Sequence, residues 1–238
     1  MISVCMATYN GEKYLKEQIS SIMSQLSEKD ELIISDDGSE DRTQAIIQSN
    51  KDNRIKFLKN IGRHGFIWNF ENALKNASGD IIFLSDQDDV WMSDKVEKTM
   101  DELKTVDMII HNAEIIDSEG NPKGYDYFSR LHCYTGFWQN LYKTRCLGCC
   151  MAFKRHVLNE CLPFPKHIVA HDYWIGMYAL SKYKVMFSSE RLIKYRRHGD
   201  NASPSAEKSP YSFFYQLFIK RCNILTNVLF RRIRNFNS

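Results

Sequence analysis

The sequence has 238 residues, of which 43% are hydrophobic and 26% are charged. This composition predicts one large globular domain and excludes fibrous, collagen-like and disordered chains. The formal net charge is only +3, and the body of the chain lacks the clustered basic residues that nucleic-acid binding requires.

The charge is unevenly spread. Six basic residues and no acidic residue lie from position 208 to the end, namely Lys208, Lys220, Arg221, Arg231, Arg232 and Arg234. Since the whole chain carries +3 and this segment carries +6, the remainder carries −3. The sequence therefore predicts a mildly acidic body followed by a basic extension over residues 201–238.

The seven cysteines show no framework for a metal or for disulfides. Cys146 and Cys149 have zinc-like spacing, but no second pair completes a site. We interpret the cysteines as buried free thiols of a reducing cytosol. No cationic leader precedes the first apolar run, and no run approaches the ~20 residues that cross a bilayer, so we expect a cytoplasmic protein without a signal peptide.

The first half of the chain alternates strands and helices. Apolar runs predict strands at 2–7, 31–35, 54–58 and 81–85. Apolar residues three and four apart predict helices at 15–26, 41–48, 70–77 and 93–103. Asn10 is expected to cap the first helix, and Ser39 or Asp41 the second. This alternation predicts a mostly parallel sheet with right-handed crossovers.

Three of these strands end in polar clusters. The clusters are Thr8-Tyr9-Asn10, Asp36-Asp37 and the acidic segment from Asp86 to Asp89. Because parallel strands present their carboxyl ends at one edge of a sheet, where ligands bind in open α/β folds, we expect the clusters to converge.

The acidic segment is the most informative, because an apolar strand leads directly into Asp86, Asp88 and Asp89. Three carboxylates in four residues repel one another and call for a cation. Mg²⁺ or Mn²⁺ completed by a substrate phosphate suits such oxygen ligands. The simpler alternative, an acidic N-terminus for the next helix, explains one or two acids better than three. Glycine-rich dinucleotide and Walker loops are absent, so a metal is expected to handle the phosphates.

After residue 105 the pattern changes. Strands are predicted at 108–116, 148–153, 185–188 and 192–195, and a helix begins at His171. Residues 125–147 are aromatic and irregular, which fits either an acceptor platform or simple packing. Residues 199–210 are predicted to form a loop. Residues 211–236 mix apolar and basic side chains, which fits a helix at an anionic membrane surface, or one packed on the body or on a second subunit.

Several motifs follow one another in a set order. They are Thr8-Tyr9-Asn10, Asp36 to Thr43, Ala77 to Asp80, Asp86 to Trp91, His171-Asp172 and Tyr195 to His198. Over residues 1–200 the chain resembles a family-2 glycosyltransferase of the GT-A fold. The Asp-Gln-Asp-Asp-Val-Trp form is most similar to rhamnosyltransferase-type members of bacterial surface-polysaccharide (O-antigen or capsule) synthesis.

This resemblance implies an α/β fold with a Rossmann-like, mostly parallel central sheet flanked by helices, a smaller mixed sheet on the acceptor side and a C-terminal helical tail. It divides the domain into a nucleotide-sugar-binding half (1–105) and an acceptor and catalytic half (106–200). It implies inverting, metal-dependent transfer of a sugar from a dTDP- or UDP-linked donor to a hydroxyl of a saccharide or lipid-linked acceptor.

The resemblance also assigns roles to residues on the donor side. Thr8 and Asn10 would line the donor cleft, Asp36 would accept from the pyrimidine N3–H, and Asp37 would lie near the base or ribose. Asp86 would stand at the first acidic position of the family's D-x-D motif.

The remaining assignments concern the metal and the chemistry. Asp88 would be the direct metal ligand with Asp89 adjacent, and Asp172 would be the catalytic base. His171 precedes it where many relatives have Glu.

Three further residues follow from their chemistry. The side chains of Arg196 and Arg197 could reach the phosphates or form a surface patch. We favour His198 as a metal ligand, because a neutral imidazole binds metals.

Two alternative functions remain open, a nucleotidyltransferase and a non-catalytic nucleotide-sugar-binding relative. A nucleotidyltransferase would need a glycine-rich, basic phosphate loop near the N-terminus, which Thr8-Tyr9-Asn10-Gly11 does not supply. Peripheral contact with the inner face of the cell membrane through residues 211–236, and a homodimer, are compatible with the tail.

Overall fold

The computed structural model describes residues 1–131, 135–199 and 220–236. The first half of the chain forms a parallel layer. Its elements are β1 (Ile2–Thr8), α1 (Leu15–Met23), β2 (Glu31–Asp36), α2 (Thr43–Ser49), β3 (Ile55–Lys59), α3 (Phe66–Lys75) and β4 (Ile81–Ser85). β1 pairs in parallel with β2 and β4, and β2 pairs in parallel with β3.

The central strands are covered on both faces, which explains their unbroken apolar runs. Nearly every residue of β1, β2 and β4 is buried. Leu15, Ile19 and Ile22 of α1 are buried as well, and each such side chain contributes roughly 1.5–3 kcal/mol by leaving water. The predicted parallel core is confirmed.

The second half of the chain continues the same sheet with mixed pairing. Its elements are β5 (Val90–Trp91), α4 (Lys95–Glu102), β6 (Met108–Ile116), β7 (Pro122–Asp126), α5 (Tyr127–Leu131), α6 (Phe137–Tyr142), β8 (Met151–Lys154), α7 (Arg155–Cys161), α8 (His171–Lys182), β9 (Val185–Arg196) and α9 (Lys220–Phe236). Among the described residues the strand order is β3-β2-β1-β4-β8-β6-β9-β5, and β7 pairs with β6. The mixed strands therefore extend the central sheet, and β8 joins the two halves by pairing antiparallel with both β4 and β6.

Several expected elements differ in detail. The strand predicted at 148–153 is wrong in its first half, because Gly148–Cys150 is a turn of 3₁₀-helix and β8 begins at Met151. A short apolar run does not distinguish a buried turn from a strand. The two strands predicted at 185–195 are one strand, β9, whose pairing with β6 shifts register between His111 and Asn112. The stretch 125–147, predicted as irregular, includes β7, α5 and α6.

Asn10 does not cap α1, which begins only at Leu15. Asn10 has a positive φ of 48°, and its side-chain oxygen accepts from the backbone N–H of Glu40 at 2.9 Å. Asp41 does lie before α2, where its carboxylate accepts from the backbone N–H of Thr43 at 2.9 Å. Asn10 therefore joins two loops at the edge of the sheet instead of starting a helix.

The tail helix α9 packs against the body. Ile224 and Val228 are buried, and the Arg231 guanidinium donates to the backbone carbonyls of Glu160 at 2.7 Å and Leu162 at 2.8 Å. No helix within the described residues is long and apolar enough to cross a membrane. Residues 200–210 of the loop predicted at 199–210, and residues 211–219 at the start of the predicted tail helix, lie outside the described residues.

The cysteines of the described chain are free thiols, as expected. Five are buried and Cys222 is exposed; the buried ones are Cys5, Cys146, Cys149, Cys150 and Cys161. Cys133 lies outside the described residues.

Candidate active site

The carboxyl ends of β1, β2 and β4 meet at one edge of the sheet. Thr8 pairs with Asp36 across the two strands, and the Thr8 hydroxyl donates to the Asp36 carboxylate at 3.2 Å. The Gln87 side chain, which follows β4, accepts from the Tyr9 backbone N–H at 2.9 Å and donates to the Tyr9 carbonyl at 3.0 Å. The expected convergence of the polar clusters is therefore present.

Asp36 is buried and organises the turn that follows β2. Its carboxylate accepts from the hydroxyls of Thr8 and Ser39, the backbone N–H groups of Gly38 and Ser39, and the Gln44 side-chain amide. Gly38 has a φ of 88°, which this turn requires and which L-residues rarely adopt. Because a carboxylate offers about four lone-pair sites, Asp36 retains little capacity for a nucleobase N–H.

Asp37 lies at the same edge and holds the loop between β3 and α3. It accepts from the Asn60 side chain at 2.7 Å and from the Gly65 backbone N–H at 2.6 Å, and His64 Nδ1 lies 3.1 Å away. The sequence alone did not identify Asn60 or Gly65 as partners of Asp37. These hydrogen bonds form because β2 and β3 are neighbouring strands, which brings the residues that follow them together.

Asp88 and His198 form the closest carboxylate–imidazole pair of this edge. Asp88 Oδ2 lies 2.8 Å from His198 Nε2, and both side chains are largely buried. The contact joins the loop after β4 to the loop after β9, across 110 residues of sequence. Its oxygen and nitrogen donors are suited to a divalent transition or alkaline-earth ion.

Asp89, predicted to lie adjacent to the metal ligand Asp88, also belongs to a second group. Ligand atoms of Asp86, Asp89 and Cys149 all lie within 4.8 Å of one another. Asp89 is fully buried, and one of its oxygens accepts from the Arg196 backbone N–H at 2.9 Å. Burial and the nearby Asp88 and Asp86 carboxylates raise the pKa of Asp89 well above its usual range.

Asp86 is the partly exposed member of this group. Burial of its carboxyl group, with the Asp88 and Asp172 carboxylates, raises the pKa of Asp86 to about 8. The Asp172 carboxylate therefore acts electrostatically on Asp86, although 86 residues separate them in the sequence.

The arginines that follow β9 differ in their surroundings. Arg196 is buried; its guanidinium donates to the Asp88 backbone carbonyl at 2.9 Å and to the Glu17 carboxylate at 2.7 Å. Arg196 therefore links the backbone of the acidic segment at Asp88 to Glu17 of α1. Arg197 is less buried, its backbone N–H donates to the Ile116 carbonyl at 2.9 Å, and its guanidinium carbon lies 6.0 Å from the Tyr195 ring centre.

Asp172 lies in the first turn of α8. The preceding His171 is buried and stacks on Phe70, with ring centres 3.9 Å apart. Neither ring nitrogen of His171 has a hydrogen-bond partner among the described residues, and burial lowers the pKa of His171. His171 therefore packs beside the predicted base without hydrogen-bonding to it.

Glycine at position 148 leaves the space that this arrangement needs. A Cβ atom there would lie 2.9 Å from His171 Nε2 and 3.4 Å from Asp172 Cβ. The 3₁₀ turn at 148–150 thus packs directly against His171 and Asp172, and we call it the wall of the predicted base.

A buried lysine lies beneath the acidic segment and was missed by sequence reasoning. Lys95 Nζ lies 2.5 Å from His111 Nε2 and donates to the Cys149 carbonyl at 3.0 Å. His111 Nδ1 lies 2.8 Å from the Asn112 carbonyl, so it carries the proton and Nε2 accepts from the ammonium. Burial lowers the pKa of Lys95 to about 8. A lysine at a helix start looks like an exposed residue in the sequence, so only the fold reveals it.

The fold and this edge define an α/β protein whose parallel strands β1, β2 and β4 end in polar and acidic side chains. The Glycosyl transferase family 2 model matches residues 3–162, more than half of the chain. The chain therefore belongs to glycosyltransferase family 2, and the match favours this hypothesis over a nucleotidyltransferase.

Relatives and solved structures agree with this assignment. An uncharacterised glycosyltransferase of Nostoc sp. is 29% identical over 86% of this chain and 67% of its own length. The dTDP-rhamnosyl transferase RfbG of Shigella flexneri is 27% identical over 82% of this chain and 72% of its own length. WfgD of Escherichia coli, a UDP-Glc:alpha-D-GlcNAc-diphosphoundecaprenol beta-1,3-glucosyltransferase, is 33% identical over 50% of this chain and 47% of its own length.

The fold matches that of S. aureus TarS (residues 1–349) in complex with UDP-GlcNAc, with a TM-score of 0.70 and 19% identity over 98% of this chain and 72% of that one. It also matches the mannosyltransferase PcManGT of Pyrobaculum calidifontis with GDP-Man and Mn²⁺, at a TM-score of 0.59 and 19% identity over 98% of this chain and 64% of that one. The GT-A fold is thus confirmed. The chain spans only part of the length of these proteins.

Proposed function

We propose that this protein transfers a sugar from a nucleoside-diphosphate donor to an acceptor hydroxyl, with inversion and with the help of a divalent cation. The observation that carries the proposal is the 2.8 Å contact between Asp88 and His198. It lies at the carboxyl edge of the parallel strands, beside Asp86 and within electrostatic range of Asp172. Family membership supports the reaction class.

Asp88 and His198 would hold the cation. Their ligand atoms already face each other; the carboxylate oxygen suits both Mg²⁺ and Mn²⁺, and the imidazole nitrogen favours the transition ion Mn²⁺. When bound, the ion supplies a fixed countercharge for the departing diphosphate. Arg196 holds this pair in place through its bond to the Asp88 carbonyl, and we assign it this positioning role in preference to direct phosphate binding.

Asp172 would act as the general base. Its carboxylate accepts the proton of the acceptor hydroxyl as that oxygen attacks the anomeric carbon from the face opposite the diphosphate. This direction of attack inverts the anomeric configuration. Such a base is worth roughly 10²–10⁴-fold in rate.

The donor nucleotide would lie along the ends of β1 and β2, lined by Thr8, Asn10, Asp36 and Asp37, with Asp86 on the sugar side and Arg197 at the diphosphate. Because Asp36 is engaged by internal donors, we expect Asp37 to offer more capacity to the base or ribose. The name of RfbG specifies a dTDP-rhamnosyl transferase, and the name of WfgD specifies UDP-Glc as its donor. We propose a dTDP- or UDP-linked donor, with rhamnose as the first sugar to test.

The acceptor would be a saccharide or lipid-linked saccharide of bacterial surface-polysaccharide synthesis. WfgD acts on a diphosphoundecaprenol substrate according to its name, which makes a membrane-bound acceptor reasonable here. The outward face of α9 supports this setting, because Leu229, Phe230 and Ile233 are 59%, 73% and 60% exposed. At ~100° per residue these three lie opposite Ile224 and Val228, the buried face of the helix. We propose that this face rests on the inner surface of the cell membrane, and a second copy of the chain is the alternative partner.

The test is release of nucleoside diphosphate from UDP- and dTDP-sugars with Mn²⁺ or Mg²⁺. Wild-type protein should release it slowly without acceptor and faster with a suitable glycoside. Asp88→Ala should abolish release, and Asp172→Asn should slow transfer by roughly 10²–10⁴-fold while leaving nucleotide binding intact. Asp101→Asn, on the exposed side of α4, is the matched control. Binding without release would identify a non-catalytic relative, and release of pyrophosphate a nucleotidyltransferase.

A further inference from the structure

We propose that Asp86, Asp89 and Cys149 form a second, thiolate-containing metal site that takes a thiophilic divalent ion such as Zn²⁺ and inhibits the enzyme when filled. The inhibition rests on the proposed function, whereas the site itself does not. Its ligands are distinct from the Asp88–His198 pair.

The three ligand atoms are already gathered. They lie within 4.8 Å of one another, although Cys149 is 60 or more residues away from both carboxylates in the sequence. A four-coordinate zinc ion with bonds of about 2.0–2.3 Å places its ligand atoms roughly 3.5 Å apart. The group therefore needs to contract by about an ångström.

Asp89 supplies an independent indication. The residue is fully buried, and one carboxylate oxygen is fixed by the Arg196 backbone N–H. The other oxygen, Oδ2, is buried and has no hydrogen-bond partner among the described residues. A buried carboxylate oxygen without a partner is unfavourable, and an ion between Asp86 and Cys149 would satisfy it.

The sulfur ligand determines which ion is taken. Thiolates favour Zn²⁺ and similar ions over Mg²⁺ and Mn²⁺, whereas oxygen-rich pairs accept the harder ions. Asp88 and His198 offer oxygen and nitrogen without sulfur, so the thiolate-containing site would be the more selective of the two for Zn²⁺ over Mg²⁺.

Charge balance is favourable beneath the site. Two carboxylates and one thiolate carry three negative charges, which a divalent ion and the buried Lys95 ammonium neutralise. Lys95 is held against the Cys149 carbonyl at 3.0 Å. On binding, the Cys149 thiol and any protonated carboxyl group of Asp86 or Asp89 release their protons to the solvent as their bonds to the metal form. No oxidant or other co-reactant is needed.

The expected consequence is inhibition. Asp86 lies on the predicted donor side, and an ion bound with Asp89 and Cys149 would draw its carboxylate into the interior. The donor would then lose that contact, even with Mn²⁺ present at Asp88 and His198.

The site can be tested spectroscopically with Co²⁺ alone, added to reduced, metal-free protein. A Cys ligand gives a near-ultraviolet thiolate-to-cobalt charge-transfer band, which Asp88 and His198 cannot produce. We expect this band in wild-type protein and in His198→Ala. We expect it to vanish in Cys149→Ser, and Co²⁺ affinity measured through the band to fall at least ~10-fold in Asp89→Asn.

Cys222→Ser is the matched control, because Cys222 is the exposed thiol of the described chain and should leave the band unchanged. Thermal unfolding confirms that each variant is folded. Absence of the band in the wild type, its persistence in Cys149→Ser or its loss in Cys222→Ser would overturn the site. Since the charge-transfer band is measured without any enzymatic activity, this experiment tests the metal site independently of the proposed reaction.

A separate experiment tests whether metal binding at this site inhibits the enzyme. With Mn²⁺ saturating, Zn²⁺ should inhibit nucleoside diphosphate release by the wild type, and Cys149→Ser should need at least ~10-fold more Zn²⁺ for the same fractional inhibition. Equal sensitivity of the two proteins would refute regulation through this site.

Discussion

Gly148→Ala probes how tightly the predicted base is positioned. The added Cβ would lie 2.9 Å from His171 Nε2 and 3.4 Å from Asp172 Cβ. Ordinary van der Waals contact begins near 3.4 Å, so the His171 ring must retreat by about half an ångström. It is stacked on Phe70 at 3.9 Å and buried, so the displacement passes to the start of α8 and to Asp172.

The magnitude follows from these contacts. Overpacking a buried site costs ~1–3 kcal/mol of unfolding free energy, which lowers the melting temperature by roughly 2–12 °C for a domain of this size. A shift of the base of up to an ångström costs on the order of 10²-fold in rate. We therefore expect kcat for transfer to fall by about 10–100-fold while KM for the donor changes little, because the nucleotide edge lies on other strands.

The assay combines steady-state kinetics with thermal unfolding. Gly136→Ala is the matched control, because its Cβ also approaches a neighbour to 2.9 Å, but that neighbour is the flexible Gln139 side chain. Gly136→Ala should change neither quantity appreciably. If Gly148→Ala loses stability but keeps wild-type kcat, the wall at 148–150 does not position the base and the reasoning fails.

Three further predictions concern other parts of the molecule. Arg196→Met should weaken Mn²⁺ binding by roughly 10–100-fold in calorimetric titrations, with metal-free nucleotide binding unchanged, because its guanidinium holds the Asp88 carbonyl. Burial opposes ionisation of Glu31, but Lys56 and other donors hold the pKa of Glu31 down at about 2, below the ordinary 4.5. The stability this gives is present above pH 4.5 and lost as pH falls towards 2, so the wild type should lose stability more steeply there than Glu31→Gln in urea unfolding. Phe230→Ser should weaken co-sedimentation with phosphatidylserine-containing vesicles, since a large exposed apolar side chain is removed.

Each of these has a distinct contrary outcome. If Arg196→Met weakens nucleotide binding equally with and without metal, Arg196 is a phosphate ligand after all. Parallel pH curves for the wild type and Glu31→Gln would contradict the proton linkage. Ile61→Ser, at a 95% exposed side chain away from α9, is the control for vesicle binding. If Phe230→Ser instead dissociates a dimer and leaves vesicle binding intact, α9 faces a second copy of the chain.

The parallel half of the fold was predictable because its strands are buried on both faces. The apolar runs ending at Ala7, Ser35 and Ser85 were recognised as strands without any tertiary information, and parallel pairing of these strands brings the polar residues that follow them together. In the second half, short apolar runs such as 148–153 were ambiguous, since the same residues fit a 3₁₀ turn or a strand.

The acidic residues of the candidate site could be selected from the sequence, but the side chains that contact them could not. Asp88 and His198 were recognised separately from motif order and chemistry. Their direct contact, the burial of Lys95 and the grouping of Asp89 with Cys149 depend on how loops after different strands meet. The guanidinium of Arg196, predicted to reach the phosphates or to form a surface patch, donates to the Asp88 carbonyl and the Glu17 carboxylate, and the sequence alone did not indicate these contacts.

The acidic segment is anchored at two distant places in the sheet. It leaves β4 near the centre, and two residues after Asp88 the chain enters β5, which pairs antiparallel with β9 at the opposite edge. A fragment ending at residue 105 would keep the acids but lose the strand that tethers them and the histidine that faces them. The two halves of the domain should therefore unfold together in one cooperative transition. A chimera that combines halves from two family members should fold only if β9 and the acidic segment come from the same parent.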